Sequence, residues 1–305
     1  MASKPGISAD TMRLAAGIFA HQEEQRIAAC LRSLPLDRSD IVFHVLVNGS
    51  TDATASRARE AAAGRANVIV HDLAFGGKSR TWNHFVHDLL AGHEDAVICM
   101  DGDARIAEGS INALLSALAG HPQVNAAAGM PMNGRLASHY RRILREEGGL
   151  FGDLYALSGS FVQRIRDRGL HLPQDLIGDD GLVAAWAYTD LQSDAAWSLD
   201  RVVACEDAGF FCDPVRLTSP ASWRMQYRRL INYSVRFYQN RIVSDIMSRI
   251  GPNGLPPRLA DLYPLWLERF RPRPGTAWWF DRQALKRMRA QSSSALNDPC
   301  QPVPC

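Results

Sequence analysis

Two acid pairs carry the chemistry that this sequence offers. Asp101-Gly102-Asp103 follows the apolar run Ala96 to Met100, and carboxylates bracketing a glycine at a strand end repel each other unless a cation or a proton lies between them. Hard divalent cations such as Mg2+ or Mn2+ prefer oxygen ligands, so this turn could hold one and leave positions for phosphate oxygens. The same three letters also fit a surface Asp-Gly turn, but their place after an apolar strand favours the metal. The second pair, Asp179-Asp180, precedes a helical stretch from Gly181 to Tyr188. Adjacent acids raise one another's pKa and could supply a base, and either could cap the helix. A rival pair, Glu206-Asp207, falls between two short apolar runs and is the weaker candidate. Gly77-Lys78-Ser79 invites a phosphate-loop reading, but that motif needs glycine where Asp72 stands, so the reading is rejected.

The elements that must position these residues read as an α/β chain. Apolar runs alternate with amphipathic segments: Arg13 to Phe19 then Glu23 to Leu34, Ile41 to Val47 then Ala53 to Ala63, Asn67 to Val70 then Thr81 to Leu90. Ala96 to Met100, Ser110 to Leu118 and Val124 to Ala128 continue the pattern. Such alternation specifies a mostly parallel sheet flanked by helices, with ligands at the carboxyl ends of its strands. Asn48 to Asp52 and Asp101 to Asp103 fall at those ends. Beyond Gly129 the alternation weakens, and two short β-like runs, Arg201 to Cys205 and Gly209 to Cys212, close this part. Ser219 to Ile250 reads as one or two long helices, and Pro252, Pro256 and Pro257 break them before a Trp- and Arg-rich segment, Asp261 to Ala290. These shifts divide the chain into 1–215, the α/β part that carries the acid pairs, and 216–305, a basic, aromatic-rich helical region with a Pro-rich end.

Four motifs in order resemble those of a known family. Gly17 to Ile27 resembles an apolar strand followed by P-A-Y-N-E-E-x-R-I, and Asn48-Gly49-Ser50-Thr51-Asp52-Ala53-Thr54 resembles D-D-G-S-T-D-x-T in its later part. Gly77-Lys78 with Asn83 resembles G-K-x-x-A-L-N, and Asp101-Gly102-Asp103 matches a metal motif. The chain thus resembles family 2 inverting glycosyltransferases, with their Rossmann-like GT-A fold. Phe19 replaces the family's proline, His21 its aromatic and Asn48 a nucleotide-contacting Asp, which leaves the nucleobase open among UDP-, GDP- and dTDP-linked donors.

The resemblance implies a role for each matched position. Phe19, His21, Glu23 and Asn48 would line the base and ribose pocket. Lys78 would meet the diphosphate, Asp101 the sugar or ribose and the metal, and Asp103 the metal, which would be Mn2+ or Mg2+. Asp179-Asp180 resembles the family's E-D pair, with Asp180 as the base that takes a proton from a hydroxyl acceptor. Ser158-Gly159-Ser160 resembles the turn that floors the acceptor side. Gln226 to Leu230 partly resembles Q-x-x-R-W, so Arg229 could reach the diphosphate, or could lie on a solvated helix face. The acceptor would include a lipid-linked compound or a cell-surface glycan precursor. A sugar-phosphate nucleotidyltransferase and a catalytically silent membrane-associated scaffold are the other readings.

Composition bounds these readings. The 305 residues, 46% hydrophobic and 22% charged, suit a soluble globular protein, and no apolar run approaches the roughly 20 residues of a spanning helix. The net charge of +2 is a sum of opposites. Cutting after Val215 leaves 19 basic against 27 acidic residues before it and 15 against 5 after it. The basic part interleaves Arg with Trp and Tyr, which fits either an anionic membrane surface or packing on the acidic body; no nucleic-acid-binding motif is present. Six cysteines without metal spacing, and an N-terminus without a leader pattern, read as a reduced cytoplasmic protein, placed peripherally at the inner face of the membrane if it binds there.

Overall fold

The structure, a computed structural model, describes residues 12–213 and 220–297. Eight strands form one sheet: β1 (Leu14–Ala20), β2 (Ile41–Asn48), β3 (Val68–Leu73), β4 (Ala96–Asp101), β5 (Ala104–Ile106), β6 (Ala126–Pro131), β7 (Tyr155–Ser158) and β8 (Val202–Cys212), in the order β3-β2-β1-β4-β7-β6-β8-β5. β3, β2, β1 and β4 run parallel, as the alternation predicts. Every residue of β1 is buried, which suits a central strand covered on both faces.

Helices α1 (Ile27–Arg32), α2 (Thr54–Ala61), α3 (Lys78–His84), α4 (Ser110–Ala119), α5 (Ala137–Glu146), α6 (Gly159–Asp167) and α7 (Asp179–Thr189) flank the sheet. The turn after α3 is π-helical, over Phe85–Leu89. The C-terminal region holds α8 (Pro220–Arg249), α9 (Tyr263–Trp266) and α10 (Trp278–Asn297). Its buried residues, among them Tyr238, Tyr263 and Leu285, join the same apolar cluster as Phe19, Trp82 and Trp186. A single core therefore crosses the boundary near residue 215.

Three local readings change. The two β-like runs after Arg201 form one strand, β8, which shifts register against β6 between Ala128 and Met130. β7 runs antiparallel to β4 and pairs Ser158 with Ala96. The Ser158 turn therefore lies at the start of β4, at the opposite end of the sheet from Asp101, and does not floor an acceptor site there. Ser158 instead caps α6 by accepting from the Phe161 amide at 3.3 Å. The third change is at α7, which begins at Asp179 rather than Gly181, so Gly178 is the cap residue and neither aspartate is.

Under the sheet, His44 of β2 and His71 of β3 meet through ring nitrogens 3.0 Å apart. Burial, with His71 adding to it, pushes His44 down to about 4. The ordinary value is 6.5, so protonation favours the unfolded chain, and stability present above pH 6.5 is lost as the pH falls toward 4. At about 1.4 kcal/mol per unit this loss approaches ~3 kcal/mol. Urea unfolding of the wild type and His44→Gln should show a stability gap that narrows steadily between pH 7 and pH 4.

Candidate active site

The carboxyl ends of β1, β2 and β4 meet at one edge, and the predicted residues gather there. Asn48 is buried and both ends of its amide are bonded: Nδ2 donates to the Ala20 carbonyl at 3.1 Å, and Oδ1 accepts from the Gly77 amide at 3.3 Å. It ties two strand ends to the start of α3. His21 is exposed, with Nδ1 2.7 Å from the Asn48 carbonyl oxygen. Phe19 is buried, edge-on to Phe85, and its ring lies 6.0 Å from Lys78 Nζ.

Lys78, the first residue of α3, is the hub of the site. Its ammonium lies 2.5 Å from Asp101 Oδ1 and 3.6 Å from Asp179 Oδ2. Burial disfavours its charge, but Asp101, Asp179 and Asp180 outweigh burial and raise its pKa well above the ordinary value. A side chain at Gly152 would collide with this ammonium, so the bare backbone there makes room for it. Burial, above all, raises the carboxyls of Asp101 and Asp179 despite Lys78.

Sequence reasoning did not find Asp153. It joins Asp101 and Asp103 so that ligand atoms of all three lie within 4.8 Å of one another. The pairing of β5 with β8 sets Cys212 opposite Ala104, and the Cys212 thiol donates to Asp153 Oδ1 at 3.0 Å. Burial chiefly, with Asp103 adding to it, raises Asp153. Three crowded carboxylates with oxygen-only donors fit a hard divalent cation, whose charge would relieve their repulsion. Arg26 supplies part of that charge, with Nη1 3.4 Å from Asp103 and Nε 2.6 Å from Glu23. Glu23 is pushed up to about 7, by burial first and then by Asp103, against the pull of Arg26.

Opposite this cluster, Asp179 and Asp180 occupy the first turn of α7, where the helix dipole favours negative charge. Asp179 is buried and Asp180 pairs with Arg236 of α8 at 3.1 Å. Gly178 has φ of 93°, and any side chain there would strike the Arg236 guanidinium. Arg229 lies exposed seven residues earlier on α8; the arginine at the acid pair is Arg236. Of the rival pair, Glu206 is held by Arg141 and Arg145 on α5, and Arg145 above all keeps its carboxyl down near 2, which suits an ion pair and not a base.

The loop into α7 is tied from two sides. Asn83 grips Leu172 by both backbone groups, at 2.8 and 2.9 Å, and Ser79 donates to the Leu176 carbonyl at 2.9 Å. From α8, Gln239 donates to the Asp175 carbonyl and accepts from the Ile177 amide, both at 2.9 Å.

Comparison with known proteins gives the family and the fold. The family model described as glycosyl transferase family 2 matches residues 16–173, about half of the chain. The chain belongs to glycosyl transferase family 2. That match takes in Phe19 through Asp153, and the acid pair at Asp179 lies just beyond it. A solved structure, the mannosyltransferase PcManGT from Pyrobaculum calidifontis in complex with GDP-Man and Mn2+, is 18% identical with a TM-score of 0.58, over 98% of this chain and 80% of that one. A mycobacterial protein is 18% identical with a TM-score of 0.51, over 77% and 80% of the two chains. Glucosyl-3-phosphoglycerate synthase from Mycobacterium tuberculosis, solved with Mn2+ and UDP-glucose, is 18% identical with a TM-score of 0.49, over 75% and 84%. No curated protein sequence matches. The family 2 chain thus has the GT-A fold, with a curled α/β sheet and a C-terminal helical region.

Removing one partner of a fully buried ion pair costs about 3–5 kcal/mol, and loss of Lys78 leaves only Asp179 buried without its counter-charge while Asp101 stays partly in water. Lys78→Met should therefore lose less than that, on the order of 2 kcal/mol at pH 7 by urea unfolding. Adding Asp179→Asn to that variant should recover part of the loss, because it removes one of the carboxylates that Lys78 neutralised.

Proposed function

We propose that this family 2 protein is an inverting glycosyltransferase that moves a sugar from a nucleoside-diphosphate sugar to a hydroxyl acceptor. The observation that carries the reading is the Lys78 bridge, which brings the Asp101-Asp103-Asp153 cluster and the Asp179-Asp180 helix start into one site. Asp101, Asp103 and Asp153 would hold Mn2+ or Mg2+, the ion supplying charge neutralisation at the donor diphosphate. The mannosyltransferase of similar fold carries GDP-Man and Mn2+, the donor and metal classes proposed here.

The chain's own residues have the following parts. Phe19, His21 and Glu23 border the base and ribose pocket, while Asn48 shapes it by fixing the strand ends. Lys78 holds Asp101 and Asp179 in place and adds positive charge beside the diphosphate. Asp180 takes the proton from the acceptor hydroxyl as the new glycosidic bond forms, and inversion follows because the acceptor attacks opposite the leaving group. Asp179, buried behind it, keeps Lys78 charged. Arg236 orients the Asp180 carboxylate until an acceptor displaces it. Arg229, exposed on α8, is left as a candidate for contact with the diphosphate of bound donor. The acceptor we favour is a lipid-linked compound or a cell-surface glycan precursor, met in the cytoplasm.

Asp180→Asn should lower transfer by about 10²- to 10⁴-fold, yet keep the thermal upshift caused by a nucleoside diphosphate with Mn2+. Full transfer by this variant, or pyrophosphate release from a nucleoside triphosphate by the wild type, would sink the reading in favour of another base or a nucleotidyltransferase. Asp153→Asn should diminish the Mn2+-dependent upshift itself, since a ligand that binds only the folded state stabilises it the more, the tighter it binds at a given concentration. A wild type that binds no nucleoside diphosphate would be the silent scaffold instead.

A further inference from the structure

The first turns of α8 and α10 present a surface that the proposed reaction does not use. Trp223, Tyr227 and Tyr233 are exposed on α8, the first by 64%, and Trp278 and Trp279 are exposed on α10. The two helices form one face here: Trp279 Nε1 donates to the Tyr227 hydroxyl at 3.3 Å, and the Tyr227 ring meets Phe280. Exposed clusters of large apolar side chains of this kind mark interaction sites on soluble proteins.

The charge on this face has one sign. Arg224, Arg228 and Lys286 are exposed, and among the described residues no acidic side chain lies within 4 Å of any of them. Asp281, in the first turn of α10, is turned inward, fully buried and bound by Arg273. Between the helices lies a cavity of about 550 Å³ whose lining includes Arg228, Lys286 and Arg287 but no acid.

We propose that this face docks the protein onto an anionic lipid bilayer, with the indole and phenol rings at the headgroup level and the inter-helix cavity taking a lipid phosphate. Aromatics paired with Arg and Lys match the chemistry of that boundary, where apolar rings and polar edges are both satisfied and cations meet anionic lipid. No described helix is long and apolar enough to cross a membrane, so the contact is with the surface. A second copy fits worse, because joining two such faces would set arginines against arginines. The inference goes beyond the proposed reaction and needs neither donor nor metal for its test.

Flotation of the full chain with phosphatidylcholine vesicles, with and without phosphatidylglycerol, decides it. Binding should require phosphatidylglycerol and weaken in high salt, since exposed charges are screened there. The Arg228→Glu/Lys286→Glu double variant should bind at least tenfold more weakly, with unchanged circular dichroism; Lys286→Glu alone, a single exposed change, reports the same loss if the double variant misfolds. Trp278→Ser/Trp279→Ser should weaken the binding that persists in salt. Absence of flotation at low salt, or equal flotation by all these variants, overturns the proposal. So does concentration-dependent dimerisation that the double charge reversal abolishes, or tight binding of an oligonucleotide with no binding to vesicles.

Discussion

The site depends on one ammonium group. Asp101 and Asp179 come from distant parts of the sequence and approach each other at the same edge of the sheet, Asp179 buried and Asp101 partly so. Left to themselves they would repel each other and favour any arrangement that let one escape. Lys78 makes their approach favourable, and the start of α3 is fixed where the ammonium can reach both. Asn48 holds the cap at Gly77, and Gly152 leaves the space that the ammonium fills. Several residues that look like separate features of the sequence thus serve a single electrostatic requirement.

Much of the fold was legible in the sequence. Fully apolar runs such as Leu14 to Ala20 reveal buried parallel strands, and the polar turns after them reveal the edge that holds the candidate site. Strand direction was not legible. The residues of β7 are apolar whichever way it runs, and its antiparallel course carried the Ser158 turn to the far end of the sheet. Asp153 was equally hidden, because a lone aspartate after Gly152 has no local pattern; it becomes part of a cluster only when β8 pairs with β5 and Cys212 arrives beside it. Arg229 and Arg236 stand two helical turns apart and so point the same way. Periodicity fixes the face they share, and only the docking of α8 on α7 selects the turn that meets Asp180.

The uneven charge along the chain has a structural counterpart. Part of the basic excess after residue 215 is used within the molecule, where Arg236 meets Asp180 and Arg273 meets Asp281. Another part remains outside, on the exposed turns of α8 and α10. Packing on the acidic body and presenting cations outward are compatible, because one long helix does the first with its later turns and the second with its earlier ones. The apolar cluster that includes Tyr238 and Tyr263 anchors the later turns.

Gln239 gives this arrangement its modular logic. By holding both the Asp175 carbonyl and the Ile177 amide, it makes the C-terminal helix part of the scaffold that aims the acid pair. A fragment ending near residue 215 would keep the four matched motifs and the Asp179-Asp180 pair, and still lack the brace behind its candidate base. Recombination among relatives would then exchange the sheet and α8 as a unit, with the glutamine and the loop it grips inherited together.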